Sequence, residues 1–252
     1  MAYRIAVLND THHPLHDPRA ISLVFDVLKD LQPEVLFLNG DILDFYMLNS
    51  HGPKHPDIIF NLEDEFNSGR AFLEECREKL PNAKIIFNSG NHENRLDRFI
   101  IGNARPLWGF CTVEKQLRLS DLEIEYYPYN TAYRVKGTSL FLQHSPPSYG
   151  ENGARTSLLK KPGASFIYGC THRMQSSFIT HATGEVHSVH FNGWLGSTTL
   201  TDQHQAVYSF IKNHLTWQQC FAVVTVDEPN FFVNQYSIKD YKCSVDGYLY
   251  EG

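Results

Sequence analysis

Five short segments of this chain follow an apolar run with side chains able to hold a metal ion. They are Asp10-x-His12, Gly40-Asp41-x-x-Asp44, Gly90-Asn91-His92-Glu93, His144 after Leu140-Phe141-Leu142-Gln143, and Cys170-x-His172. Carboxylate, imidazole, amide oxygen and thiolate are the groups from which divalent-cation sites are made. The clearest of the five is Ile85-Ile86-Phe87-Asn88-Ser89-Gly90-Asn91-His92-Glu93, where a strand-length apolar run stops at Ser-Gly and delivers three polar side chains together. A glycine there lets the backbone approach whatever the side chains bind. In open α/β sheets, ligands sit at such strand ends.

The elements that must carry these segments read as alternating strand and helix. Ile5 to Leu8 is a first buried strand. Asp17-Pro18 reads as an N-cap with proline at the first helical position, and Ile21, Val24, Phe25, Leu28 and Leu31 follow at helical spacing. A second strand, Val35 to Leu38, comes after Pro33. Tyr46 to Asp57 reads as a loop, and Ile58 to Leu80 as a helix stopped by Pro81-Asn82. The run strand, helix, strand, helix, strand predicts a parallel sheet with crossover helices.

Beyond the Gly90 segment, Glu93 to Leu119 reads as helical. Short strands are expected at Glu123 to Tyr127, Ala132 to Val135 and Ser139 to Gln143. A Pro- and Gly-rich loop, Ser145 to Gly153, leads to a short helix near Ala154 to Lys161 and a strand at Ser165 to Tyr168. The rest is β-rich: Ser176 to Thr180, Glu185 to Phe191, and a hairpin of Phe221 to Val226 and Phe231 to Ile238 turning at Glu228-Pro229-Asn230. The residues from Lys239 onward are expected to pack loosely. With no repeat, low-complexity tract or linker, residues 1–252 are expected to form one domain, with the motifs in about 5–197 and a hairpin in about 219–238.

The composition is that of an ordinary globular chain, 42% hydrophobic and 20% charged over 252 residues. No apolar run approaches the roughly 20 residues that a membrane helix needs, so no membrane association is expected. The N-terminus lacks a signal-peptide pattern, and five scattered cysteines suit a reducing compartment, so a cytoplasmic location is expected. A net charge of -6 without a long basic block argues against bulk binding of nucleic-acid duplexes, but not against a small phosphate-bearing substrate.

The order and spacing of the five segments resemble the calcineurin-like metallophosphoesterases over about residues 5 to 197. The compact length and the Gly-Asn-His-Glu form look like the small single-domain members of bacteria and their phages. The resemblance implies an α/β fold, a four-layer αββα sandwich of two mixed β-sheets flanked by helices. It implies two divalent metal ions, of Mn, Zn, Fe or Ni type. Asp10, His12 and His172 would hold one, Asn91 and His144 the other, with Cys170 at a further ligand position and Asp41 bridging. A bridging carboxylate is what two cations about 3.5–4 Å apart require. The implied reaction is hydrolysis of a phosphate mono- or diester by metal-bound hydroxide. His92 would face the substrate oxygens as proton donor or charge stabiliser, Asp44 would orient it, and Arg95 could hold a phosphate oxygen. Nucleotides and single-stranded nucleic acid are among the implied substrates.

Cys170 departs from the family pattern, which usually has histidine there. A thiolate is softer and would favour zinc or iron over manganese or magnesium. The alternatives are a DNA or RNA exonuclease, a protein phosphatase, or a non-catalytic binding module with an impaired second metal site. Taken singly, each segment has an ordinary reading as turn, cap or structural histidine; taken together they point to a metal site. His13, His16, His51 and His55 read as loop residues, and His181, His187 and His190 as sheet residues. Asn192 to Ser197 is expected to support the site. Arg155, Lys160, Lys161 and Arg173 read as a solvated basic face able to guide an anion.

Overall fold

The computed structural model of the chain describes residues 2–49, 61–197 and 216–252. Part of the Tyr46–Asp57 loop, with His51 and His55, and the first residues of the Ile58–Leu80 stretch lie outside the described residues.

Strands β1 (Tyr3–Leu8), β2 (Val35–Leu38), β3 (Lys84–Asn88) and β4 (Ile124–Tyr127) lie parallel in that order. A later hairpin, β10 (Gln219–Asp227) and β11 (Asn230–Ile238), adds to the β1 edge antiparallel and completes a six-stranded mixed sheet. The second sheet has the order β5 (Tyr133–Arg134), β6 (Leu140–Gln143), β7 (Ser165–Tyr168), β9 (Val186–Phe191) and β8 (Gln175–Thr180). In it β6, β7 and β9 are parallel and both edge strands antiparallel.

Alternation along the strands builds the layers. Ile5, Val7, Phe37, Ile86 and Val224 point inward and pack with Val135, Leu140, Leu142 and Ile167 of the other sheet. Ala6, Leu8, Leu36, Leu38, Ile85 and Phe87 point outward, under helices α1 (Pro18–Leu31) and α2 (Leu62–Lys79). On the far face, Ala154 and Leu158 of α5 (Gly153–Lys160) cover Phe166, Tyr168, Val189 and Phe191. The result is the expected four-layer αββα sandwich.

α1 starts where its cap was read: Asp17 accepts from Arg19 N and Ala20 N, and Pro18 opens the helix. The stretch after Glu93 is not one helix. α3 (Glu93–Asn103) ends before Arg105-Pro106, and the rest is the short α4 (Val113–Gln116) between 3₁₀ turns at Arg105–Leu107 and Leu119–Leu122. Pro106 has no N–H to continue the α-helical ladder and instead sits in the first turn of a 3₁₀ helix, Arg105–Leu107. The expectation of a loose tail is also corrected. Strands β12 (Lys242–Val245) and β13 (Tyr248–Glu251) form a hairpin that buries Cys243 and Val245 in the α1 side of the core. Tyr250 donates to Asp30 and Arg19 to the Gly252 carbonyl, so the hairpin is clipped to α1. No helix among the described residues is long and apolar enough to cross a membrane.

Candidate metal centre

All five segments leave parallel strands at the same end of the two sheets: Asp10 after β1, Asp41 after β2, Asn91 after β3, His144 after β6 and Cys170 after β7. The chain turns sharply there. Asp10, His12, Asp41, Cys170 and His172 have φ of 54°, 54°, 52°, 67° and 57°, a left-handed region that costs a non-glycine residue on the order of 1–3 kcal/mol. Backbone hydrogen bonds hold them there: Asp10 N to Gly40 O, His12 N to Asp41 O, and Leu195 N to Asp10 O, each at 3.0 Å. Two glycines make room. Gly40, at φ +84°, would put a Cβ 2.6 Å from His144 Nδ1, and a Cβ on Gly90 would run into the Asp41 carboxylate.

The side chains converge in three groups. In the first, His172 Nε2 lies 3.1 Å from both Asp10 Oδ1 and His12 Nε2. In the second, His144 Nε2 lies 3.1 Å from Asp41 Oδ2 and from Asn91 Oδ1, and Cys170 Sγ lies 2.9 Å from Asn91 Oδ1. In the third, Asp44 sits between His12 and His92. Asp10, Asp41 and His144 are almost wholly buried. The ligand atoms of Asp10, His12 and His172, and those of Asp41, His144 and Cys170, are close enough to share an ion in each case.

The geometry redistributes two expected roles. The carboxylate of Asp44 takes His12 Nδ1 at 3.0 Å, and His92 Nδ1 bonds instead to the Asp44 backbone carbonyl at 2.7 Å. Asp44 therefore orients two histidines, one with each kind of oxygen. Arg95 is already engaged: it donates to the same carbonyl at 2.8 Å and to His92 Nε2 at 2.7 Å.

Charge follows from this packing. Burial opposes an imidazolium at His12, but hydrogen bonds to Asp10 and Asp44 more than offset it and lift the group to about 10. Burial also works against the Asp41 and Asp10 carboxylates, yet the facing histidines hold both well below the usual range. His92 is pushed down to about 3 by burial, with Arg95 and His12 opposing its charge. The Cys170 thiol is pushed up by burial, despite His144 beside it.

Two kinds of residue at the site have a part that the sequence reading did not give them. Glu93 is fully buried, and its carboxylate accepts from the backbone N–H groups of Gly90 (2.7 Å), Leu43 (2.9 Å) and Asp41 (3.0 Å). It ties the β2 and β3 turns together. A row of asparagines does the same between sheets. Asn39 Nδ2 donates to Gln143 O, Asn88 Nδ2 to Asn39 Oδ1, and Asn192 Nδ2 to Asn9 Oδ1 and Val7 O. Asn9 Nδ2 reaches the Asp10 carboxylate and Gly193 O. The available signal was the recurrence of Asn at strand ends, at Asn9, Asn39, Asn88 and Asn192.

The Asn192–Ser197 turn supports the site as expected, with Trp194 stacked on the His172 ring at 5.2 Å and Leu195 N bound to Asp10 O. His13 and His16 stack on each other away from both clusters, and His13 bonds Ser68. His190 is held by Ser176 and Ser188, a sheet residue as read, and His181 and His187 pack edge to face. The basic group disperses: Arg155 bonds Phe178 O, Lys160 bonds Pro147 O and Arg173 bonds Thr216.

Beneath the Asp44 turn, Glu65 of α2 accepts from Phe45 N at 2.5 Å, and its Oε1 has no partner among the described residues. Burial, with the Asp44 charge added, raises this carboxyl from 4.5 to about 8, against the Phe45 N–H and Arg95. Between those two values the folded chain keeps a proton that the unfolded chain releases, so stability falls as pH rises through that window and levels off above it. Glu65→Gln removes the titration. It is expected to be more stable than wild type by more than about 1 kcal/mol at pH 9, with a smaller gain at pH 5. Equal differences in urea midpoint at the two pH values would contradict this.

Comparison with known proteins agrees with this construction. The family profile described as calcineurin-like phosphoesterase matches residues 3–176. Gene 54 protein of Mycobacterium phage L5 is 23% identical over 266 residues, covering 100% of both chains. Among solved structures, the E. coli phosphoesterase YfcE has a TM-score of 0.44 at 14% identity, over 94% of this chain and 100% of that one. Vps29 of Chaetomium thermophilum, in complex with a cyclic peptide, has a TM-score of 0.48 at 12% identity, over 95% of this chain and 89% of that one. With a family profile matched across most of its length, this chain belongs to the calcineurin-like phosphoesterase family.

Proposed function

We propose that the chain hydrolyses phosphate mono- or diesters with two divalent cations. Asp10, His12 and His172 would hold one, Asn91, His144 and Cys170 the other, and Asp41 would be shared. The supporting observation is how the histidine rings are held. His144 Nδ1 lies 2.6 Å from the Asn39 carbonyl, which can only accept, so the ring proton belongs there. Its Nε2 then faces Asp41 Oδ2 and Asn91 Oδ1. His12 is fixed likewise by Asp44, which turns its Nε2 toward Asp10 and His172. Without a cation, protons on the His12 and His144 rings offset the facing carboxylates, and a cation at the same place would displace them; a ligating histidine held at its far nitrogen is the usual companion of a metal.

When bound, such ions bring the pKa of water from 15.7 down to about 7 and offset charge on the phosphoryl oxygens. The chain's own groups complete the site. His92 donates from Nδ1 to the Asp44 carbonyl and accepts at Nε2 from Arg95. This favours charge stabilisation by the Arg95–His92 pair over proton donation by His92. One domain over residues 1–252 is part of the proposal, supported by the β10–β11 hairpin extending the sheet of β1. A reducing, cytoplasmic setting fits five cysteines that are all free thiols.

The test is metal analysis combined with turnover of p-nitrophenyl phosphate and bis(p-nitrophenyl) phosphate under manganese, zinc, iron, nickel and magnesium. Two ions per chain and metal-dependent hydrolysis are expected. Cys170→His is expected to shift second-site preference from zinc toward manganese. One ion per chain and no turnover with any metal would instead support the binding-module alternative.

A further inference from the structure

A groove of about 460 Å³ runs from the second metal cluster along α3. Its lining begins at Asn91 and continues through Arg95, Phe99 and Asn103, with Arg98 and Tyr129 among the remaining residues. The first four follow one another four residues apart, so from the first turn onward they form a single row on the helix surface. At 1.5 Å per residue, the helical part of that row, Arg95 to Asn103, is about 12 Å long. A phosphoryl group seated between the metal clusters would occupy only its near end.

The lining says what the remainder would hold. Among the described residues, its charged side chains are Arg95 and Arg98, with no carboxylate, in a chain of net charge -6. Arg95 is committed to the Asp44 carbonyl and His92, whereas Arg98 has no hydrogen bond or ion pair among the described residues and is exposed. Phe99 is 44% exposed, although Leu96 and Ile100 beside it on the same helix are buried. An open aromatic ring next to an unpaired guanidinium, in a groove otherwise lined largely by amides, matches the needs of a nucleotide. Bases stack on aromatic faces with little regard to identity, and arginine takes phosphate.

We propose that this groove receives the nucleoside end of the substrate, so that the chain acts on nucleotide esters, with Phe99 and Tyr129 against the base and Arg98 on a phosphate. This rests on the phosphoesterase reading above. The test compares Arg98→Ala and Phe99→Ala with wild type on two esters of one leaving group. These are p-nitrophenyl phosphate, which has no nucleoside arm, and the p-nitrophenyl ester of thymidine 5′-monophosphate, which has one. The ratio of kcat/KM for the armed ester to that for the unarmed ester is expected to fall about tenfold in each variant. A ratio that stays at the wild-type value in both variants overturns the proposal. Binding of a hydrolysis-resistant thymidine dinucleotide phosphorothioate to the metal-loaded protein gives a second readout, with Kd expected to rise about tenfold in the same variants. If wild type turns over neither ester, the phosphoesterase reading fails, and the groove is then judged by binding alone: an unchanged Kd overturns it.

Discussion

Asp41→Asn is expected to lower kcat by about a thousandfold and to reduce bound metal to one ion per chain or fewer. The magnitude follows from the several kcal/mol that metal ions contribute to phosphoryl transfer, at about 1.4 kcal/mol per tenfold. Asp41 Oδ2 is the carboxylate oxygen against His144 Nε2 at 3.1 Å, and it also lies 3.6 Å from His92 Nε2. Its other oxygen accepts from His92 N at 2.8 Å. Asparagine can keep that second bond through its own oxygen, so the turn is expected to persist while the charge that two cations would share is lost. Thermal melting of the metal-free variant should match wild type, which separates a lost site from a lost fold. An unchanged rate would mean that the activity belongs to something other than this centre.

Glu93→Ala is expected to have the largest effect on stability, a loss of roughly 3–5 kcal/mol. Three backbone N–H groups end on this one fully buried carboxylate. Burial and the neighbouring Asp41 raise the carboxyl to about 7, so the chain holds it there against an electrostatic cost. Removing the side chain strands the amides of Gly90, Asp41 and Leu43, and with them the two turns that carry Asp41 and Asn91. Urea unfolding measures the loss directly, and metal titration should weaken in parallel. Glu93→Gln, which keeps one acceptor oxygen, should recover part of the difference. If alanine unfolds at the wild-type midpoint, Glu93 does not organise these turns.

The elements that carry the site were readable because their signals are local. The Asp17-Pro18 cap, the helical spacing from Ile21 to Leu31 and the apolar runs before Asp10, Asp41 and Asn91 depend on neighbours a few positions away. The same holds for the candidate ligands, whose residue types and places after strands stand in the sequence itself. The tail was misread for the converse reason. Cys243 and Val245 are apolar positions in a short polar stretch, and only the α1 surface makes them core.

Partnership was decided by the fold. Asp44 is close in sequence to neither His12 nor His92, and which of its oxygens meets which ring depends on how the β1, β2 and β3 turns stack. His144 lies 105 positions from the carbonyl that sets its tautomer, and His172 lies 162 from the carboxylate it faces. Sequence alone determined a strand-and-helix chain with side chains able to hold a metal at its strand ends. Tertiary structure decided that two sheets stack with those ends together, that Glu93 and four asparagines lock the turns, and that Arg95 faces His92. The physical reason is range: hydrophobic periodicity and capping act within a turn or two of chain, whereas hydrogen bonds and charges act through space, between groups that only folding brings within 3 Å or so.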